Sequence, residues 1–265
     1  MRHTGFAVLV NHPLPHELVE QIYDEWLCVL RQRRQVRLPV PRRRPGRILR
    51  PGRQRDRQGQ HREATSRSSS TYPWGLYPSE VSDAALRYAE TAKAIATTLL
   101  GWVHDHTPDA VRDRLSMPLP DMMNGSTRTL LRVLRYPPLT GDEPADAVRA
   151  AAHEDINLLT VLPAANEPGL QVRDLAGNWH DVPCDFGSIA INAGDMLQLA
   201  TGGYYPSTTH RVTNPTGDGA RRSRLSLPLF LHPADDVVLA EGRTAFSYLR
   251  ERIAELRSQD LKSAG

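Results

Sequence analysis

The sequence predicts a mainly β fold with flanking helices, of the sandwich or jelly-roll kind. From residue 128 onward, seven or eight short β-prone runs follow one another. Turn signals separate them, such as Ala176-Gly177-Asn178 and Thr216-Gly217-Asp218-Gly219. Long helical patterns lie outside this run of strands rather than between them. Many short strands at such spacing close into a sandwich or jelly roll, not a parallel α/β sheet.

The elements follow in order. Residues 5–10 are a short apolar run consistent with a buried strand, which Asn11-His12-Pro13 ends. Pro15 to about Leu30 reads as a helix, with Leu18, Ile22, Trp26 and Leu30 spaced by four. A longer helix is expected from Ser79, a candidate N-cap after Pro78. Val81, Ala85, Tyr88, Ala92, Ile95, Leu99 and Trp102 form its apolar face. The expected strands are 128–136, 157–162, 170–174, 188–192, 196–200, 210–214 and 224–231. A last helix is expected over 244–257. Trp26, Trp74, Trp102, Met122, Met123 and Met196 read as packing residues, Trp179 as a hairpin clamp, and Cys184 as a small buried residue without an activating partner.

The 265 residues allow one large domain or two small ones. The expected division is an N-terminal strand and helical region, 1–127, and a β domain with a C-terminal helix, 128–265. No stretch approaches 18 apolar residues, so no membrane span is expected, and the run 6–10 is too short for a signal-peptide core. Cys28 and Cys184 lie far apart and form no CxxC pair. A disulfide framework and a cysteine zinc site are not expected, and a reducing cytoplasm fits.

The net charge of +3 conceals a division. Residues 31–67 hold 14 Arg, one Asp, one Glu and no Lys, which is +12, so the rest of the chain carries −9. The segment has no amphipathic period and few aliphatic residues, and is expected to be disordered. It has no aromatic residues to stack on bases, so no specific nucleic-acid partner is expected. Its Arg/Gln/Pro/Gly bias, with abrupt edges, also matches a GC-rich coding sequence read out of frame.

Chemistry concentrates in three places. His153-Glu154-Asp155 precedes the strand expected over 157–162, and in an extended segment residues 153 and 155 share a face. His210 opens another expected strand, and Arg224 and Ser226 share a face of the last one. Two histidines and a carboxylate make a facial triad, which leaves three adjacent positions open on an octahedral iron(II). A buried arginine is a bidentate partner for a carboxylate. His104-Asp105-His106, which sits at a helix end, and His180-Asp181 are read as structural decoys rather than metal ligands.

These residues, with Leu134-Arg135-Tyr136, Gly169 to Val172, Gly177-Asn178-Trp179 and Asn192 to Gln198, resemble the isopenicillin N synthase-like iron(II)/2-oxoglutarate-dependent dioxygenases. The resemblance covers roughly residues 4–27 and 71–260. It implies a double-stranded β-helix core, iron(II), and 2-oxoglutarate and O2 as cosubstrates. It implies His153, Asp155 and His210 as metal ligands, and Arg224, Ser226 and Tyr136 as cosubstrate-binding residues. Leu134 departs from the pattern, since many relatives carry Asn two residues before that tyrosine. The implied activity is oxidation, as hydroxylation, of a small molecule, with 2-oxoglutarate converted to succinate. Two alternatives stand beside it. One is an oxidase that uses O2 without 2-oxoglutarate and binds a substrate carboxylate at the Arg/Ser pair. The other is a non-catalytic member, because residues 28–70 match nothing in the family. The pattern does not reveal the substrate or the oligomeric state.

Overall fold

The computed structural model describes residues 1–32, 54–55, 61–62, 68–71, 77–144 and 146–262. In chain order these form β1 (Phe6–Leu9), α1 (His16–Gln32), β2 (Gln54–Arg55), β3 (His61–Arg62), β4 (Ser68–Thr71), α2 (Ala84–Asp105) and α3 (Asp109–Arg112). Next come β5 (Leu130–Tyr136), β6 (Ala150–His153), β7 (Leu159–Pro163), β8 (Leu170–Arg173), β9 (Trp179–Asp181), β10 (Ile189–Ala193) and α4 (Asp195–Ala200). The chain ends with β11 (His210–Val212), β12 (Arg224–Ser226), β13 (Leu229–Leu231), β14 (Val238–Ala240), β15 (Arg243–Thr244) and α5 (Ala245–Lys262).

Two antiparallel sheets face each other as a jelly roll. The larger runs β1-β10-β7-β13-β5-β12, with β4 also paired to β5, and the smaller runs β6-β11-β8-β9. Helices α1 and α2 cover the larger sheet. Leu18, Ile22, Trp26 and Leu30 from α1, and Ala85, Tyr88, Ala92 and Ile95 from α2, join its residues Val161, Ile189, Ile191 and Leu229 in one core. A second, smaller apolar cluster lies between the sheets: Leu134, Tyr136, Ala150, Leu170, Val182, Ala190 and Val212.

The helices are tied to each other and to the strands by polar contacts. Glu25 on α1 accepts from the Ser82 amide at 3.0 Å and its hydroxyl at 2.9 Å, just before α2 begins. Buried Tyr88 places its hydroxyl 2.9 Å from the Leu227 carbonyl and 3.3 Å from the Val161 carbonyl. One residue of α2 therefore touches both β7 and the corner between β12 and β13.

Several expectations change. The strand expected over 196–200 is helix α4. Gly194 packs so closely on Asn157 that a β-carbon there would lie 2.2 Å from its carbonyl oxygen. The following amides of Asp195 and Met196 turn onto the carbonyls of Asp155, Ile156 and Asn157. That turn starts a helix, and Met196, Leu197 and Ala200 are buried along it. The strand expected over 224–231 is broken into β12 and β13 at Leu227-Pro228, where proline has no amide to donate. Helix α2 starts at Ala84 rather than Ser79; the Ser82 hydroxyl accepts from the Ala84 amide at 3.2 Å. Trp102 is 59% exposed and is not a core residue, whereas Trp26 is fully buried. Strands β6, β9, β14 and β15 add to those expected. Trp74 and most of the Arg-rich segment 31–67 lie outside the described residues. Within that segment, β2 and β3 pair antiparallel, Gln54 with Arg62 and Arg55 with His61. No helix among the described residues is long and apolar enough to cross a membrane.

Replacing Tyr88 by Phe should leave the buried Leu227 carbonyl, the shorter of the two contacts, short of its donor. The unfolding free energy should fall by about 1–3 kcal/mol, checked by urea titration.

Candidate metal centre and carboxylate pocket

Strands β6 and β11 pair antiparallel with His210 opposite His153. This register stands the two imidazoles side by side on the interior face, ring centroids 4.4 Å apart. Each ring is fixed by its own strand. His153 Nδ1 lies 2.7 Å from the Ala151 carbonyl, and His210 Nδ1 lies 3.0 Å from the Thr208 carbonyl. A carbonyl can only accept, so both Nδ1 atoms carry the proton. Both neutral rings then present a lone pair at Nε2.

Asp155 follows β6 and is 6% exposed. Its Oδ1 lies 4.0 Å from His153 Nε2 and 3.8 Å from His210 Nε2. Its Oδ2 accepts from Thr160 Oγ1 at 2.5 Å and from Asn192 Nδ2 at 2.9 Å. Thr160 on β7 and Asn192 on β10 are register partners, so two neighbouring strands deliver both donors to one oxygen. Asn157 Nδ2 donates to Thr160 Oγ1 at 3.0 Å, which leaves the hydroxyl proton for Asp155. Burial alone would raise the Asp155 carboxyl. The imidazoles when protonated, His210 foremost, and the two hydrogen bonds outweigh it and hold the group below its ordinary range.

The donor set fits iron(II). Among the described residues, His153, Asp155 and His210 form the group of three whose ligand atoms lie within 4.8 Å of one another. Two imidazole lone pairs and a carboxylate oxygen converge with no proton between them when the rings are neutral. A cation relieves that repulsion, and a two-nitrogen, one-oxygen set with open positions suits non-haem iron(II).

The same interior leads to a cationic end. Arg224 on β12 is 2% exposed and pairs in register with Tyr136 at the end of β5. Its guanidinium carbon sits 5.6 Å from the Tyr136 ring centroid. Its Nε donates to the Glu167 carbonyl at 2.9 Å, and its Nη1 is buried without a partner. Ser226, two residues on, is buried in the same strand. The apolar cluster around Tyr136, Leu134, Ala190 and Val212 adjoins this end, and Val212 lies two residues along β11 from His210.

Comparison with known proteins identifies this arrangement. A candidate oxygenase from Shewanella oneidensis, of known crystal structure, is 49% identical with a TM-score of 0.83, over 96% of this chain and 91% of that one. The family model described as the 2OG-Fe(II) oxygenase superfamily matches residues 128–233. The chain belongs to the 2OG-Fe(II) oxygenase superfamily. A 2OG-Fe(II) oxygenase family protein from Caulobacter crescentus is 26% identical, with a TM-score of 0.70, over 96% of this chain and 91% of that one. Gibberellin 2-beta-dioxygenase 2 of Arabidopsis thaliana is 35% identical over 55% of this chain and 41% of that protein. Feruloyl CoA ortho-hydroxylase 1 of the same plant is 37% identical over 40% of this chain and 28% of that protein. The chain thus spans less than half the length of these two relatives. The family supplies the cofactors: iron(II) and 2-oxoglutarate.

The structure brings the three expected metal ligands together; Arg224, Ser226 and Tyr136, expected at the cosubstrate, are buried on the paired strands β12 and β5. The two decoys stand apart from this oxygenase site. His106 Nδ1 donates to the Trp102 carbonyl at the end of α2, and His180 Nε2 bonds Asp174 at 2.8 Å on the surface. The sequence reading assigned no role to Thr160, Asn157 and Asn192, which hold Asp155. A signal was present: Asn192 interrupts the apolar run Ile189–Ala193, and Thr160 interrupts Leu158 to Leu162. A polar side chain inside a buried strand requires a hydrogen-bonding reason.

Removing those holders should loosen the ligand. Asn192→Ala and Thr160→Val should each weaken iron(II) binding by about 10–100-fold, checked by anaerobic metal titration.

Proposed function

We propose that this oxygenase oxidises a small molecule, as a hydroxylase, with His153, Asp155 and His210 holding iron(II) and Arg224, Ser226 and Tyr136 holding 2-oxoglutarate. One observation carries the reading: convergent metal donors occur in the same β fold as a buried, partly unpartnered guanidinium beside the apolar cluster of Tyr136. Iron(II) bound there supplies O2 activation coupled to decarboxylation of 2-oxoglutarate to succinate and CO2, one oxygen atom going to the substrate.

The chain's own residues do the rest. The Ala151 and Thr208 carbonyls keep each imidazole in the tautomer that offers Nε2. Thr160 and Asn192 keep Asp155 ionised and turned so that Oδ1 faces the metal position. Arg224 offers a charged donor to the distal carboxylate, and Ser226 a hydroxyl beside it. Tyr136 packs against Arg224 and narrows the interior, which excludes water from the cosubstrate. The similarity to a feruloyl CoA hydroxylase and a gibberellin dioxygenase supports a small organic substrate.

Anaerobic titration of the iron-loaded protein with 2-oxoglutarate should develop the weak visible band of a 2-oxo acid chelate. His210→Ala should abolish it by removing a metal ligand. Arg224→Ala should raise the 2-oxoglutarate requirement by about 3–5 kcal/mol of lost binding, while iron affinity stays unchanged. Arg224→Lys should recover part of it, because a point charge lacks the fork. Substrate-dependent O2 uptake without 2-oxoglutarate would sink this reading in favour of the oxidase.

A further inference from the structure

Arg149 is a charged group with no part in the chemistry above, yet it is 0% exposed. It stands just before β6, on the smaller sheet. Its Nη2 donates to the Arg222 carbonyl at 3.1 Å, while Nε and Nη1 are buried without partners. The accepting carbonyl is two residues before Arg224, whose own Nη1 is also unpartnered. The carboxylate at this end is already occupied. Both oxygens of Glu167 accept from the side chain of Arg222, at 2.5 Å and 3.2 Å, and only the Glu167 main-chain carbonyl serves Arg224.

Two buried guanidiniums therefore act on one another here, and among the described residues the carboxylate that acts on Arg149, Glu167, is engaged by Arg222. Burial first, and then the charge of Arg224, press Arg149 down to about 10, with Glu167 and Tyr136 acting the other way. Burying unpaired like charges is costly unless something negative completes the site. A carboxylate offers about four lone-pair positions. One guanidinium fork and one serine hydroxyl leave capacity for a further donor.

We propose that Arg149 is a second guanidinium for the distal carboxylate of the 2-oxo acid, so that Arg224 on the larger sheet and Arg149 on the smaller one clamp it from both sides. The inference rests on the 2-oxoglutarate reading above. Its consequence is selectivity: the clamp favours dicarboxylic 2-oxo acids over monocarboxylic ones, which leave both cations without a counter-charge.

The test uses the full chain loaded with iron(II) under anaerobic conditions. Affinity for 2-oxoglutarate and for pyruvate is read from the chelate band, and independently from the rise in melting temperature each produces. Arg149→Gln should raise the apparent Kd for 2-oxoglutarate by about tenfold to a hundredfold, while iron and pyruvate affinities stay the same. Arg149→Lys should recover part of the loss. Equal losses for pyruvate and 2-oxoglutarate would make Arg149 merely structural and overturn the inference. So would wild-type 2-oxoglutarate affinity in Arg149→Gln with strong loss in Arg224→Ala, which leaves the cosubstrate reading standing. If the unaltered iron-loaded chain binds no 2-oxoglutarate, both fall together.

Discussion

A buried carboxylate with one oxygen committed to protein donors and the other turned to two imidazoles organises this molecule. Asp155 has little solvent to rely on, so each of its lone pairs needs a partner from the fold. Thr160 and Asn192 meet that need only because β7 and β10 are neighbours in one register. The Asp155 loop is itself held by the backbone of residues 194–196, which bonds the carbonyls of residues 155–158. Gly194 makes that approach possible, because no other residue lets the two backbones come so close. The centre of the larger sheet, the turn into α4 and the position of the carboxylate are thus one mechanical unit. The imidazoles come from the smaller sheet, so the metal centre exists only when the two sheets face each other.

The other end of the interior carries opposite demands. There the fold buries Arg149 and Arg224, while the Glu167 carboxylate is engaged by Arg222. The apolar lining between the ends keeps the local dielectric low, so a charge missing at either end is felt strongly. On the proposed reading, a cation at the triad and an anion at the arginines answer these demands together. A small dianion that chelates metal at one end and presents a carboxylate at the other meets both demands at once.

Much of this was legible in the sequence, for identifiable reasons. His153 and His210 stand in short paired strands that aim them at one another, Asp155 follows the first by two residues, and these residue types have few other reasons to recur in that order. The burial of Arg224 and Ser226 was legible because they share one face of an otherwise apolar strand. Arg149 was not, because Ala147-Val148-Arg149-Ala150 reads as well for a surface arginine. Its burial depends on the Arg222 carbonyl 73 residues away. Residues 196–200 were misread for a related reason. Five residues rich in Leu and Met fit a strand or a helical turn equally, and a backbone contact from Asn157 decides between them. Trp102 was misassigned because helical periodicity names a face but not where the partner surface stops.

The helical layer bonds the strands of the larger sheet through buried tyrosines, Tyr88 among them. Tyr88 lies behind the larger sheet and touches neither the metal position nor the arginines. Its hydroxyl nonetheless reaches the Val161 carbonyl, one residue beyond Thr160, and the Leu227 carbonyl, one residue beyond Ser226. The strand that holds Asp155 and the strand that carries Arg224 are therefore referenced to the same atom. A shift of Tyr88 would move both strands together, through the backbone alone.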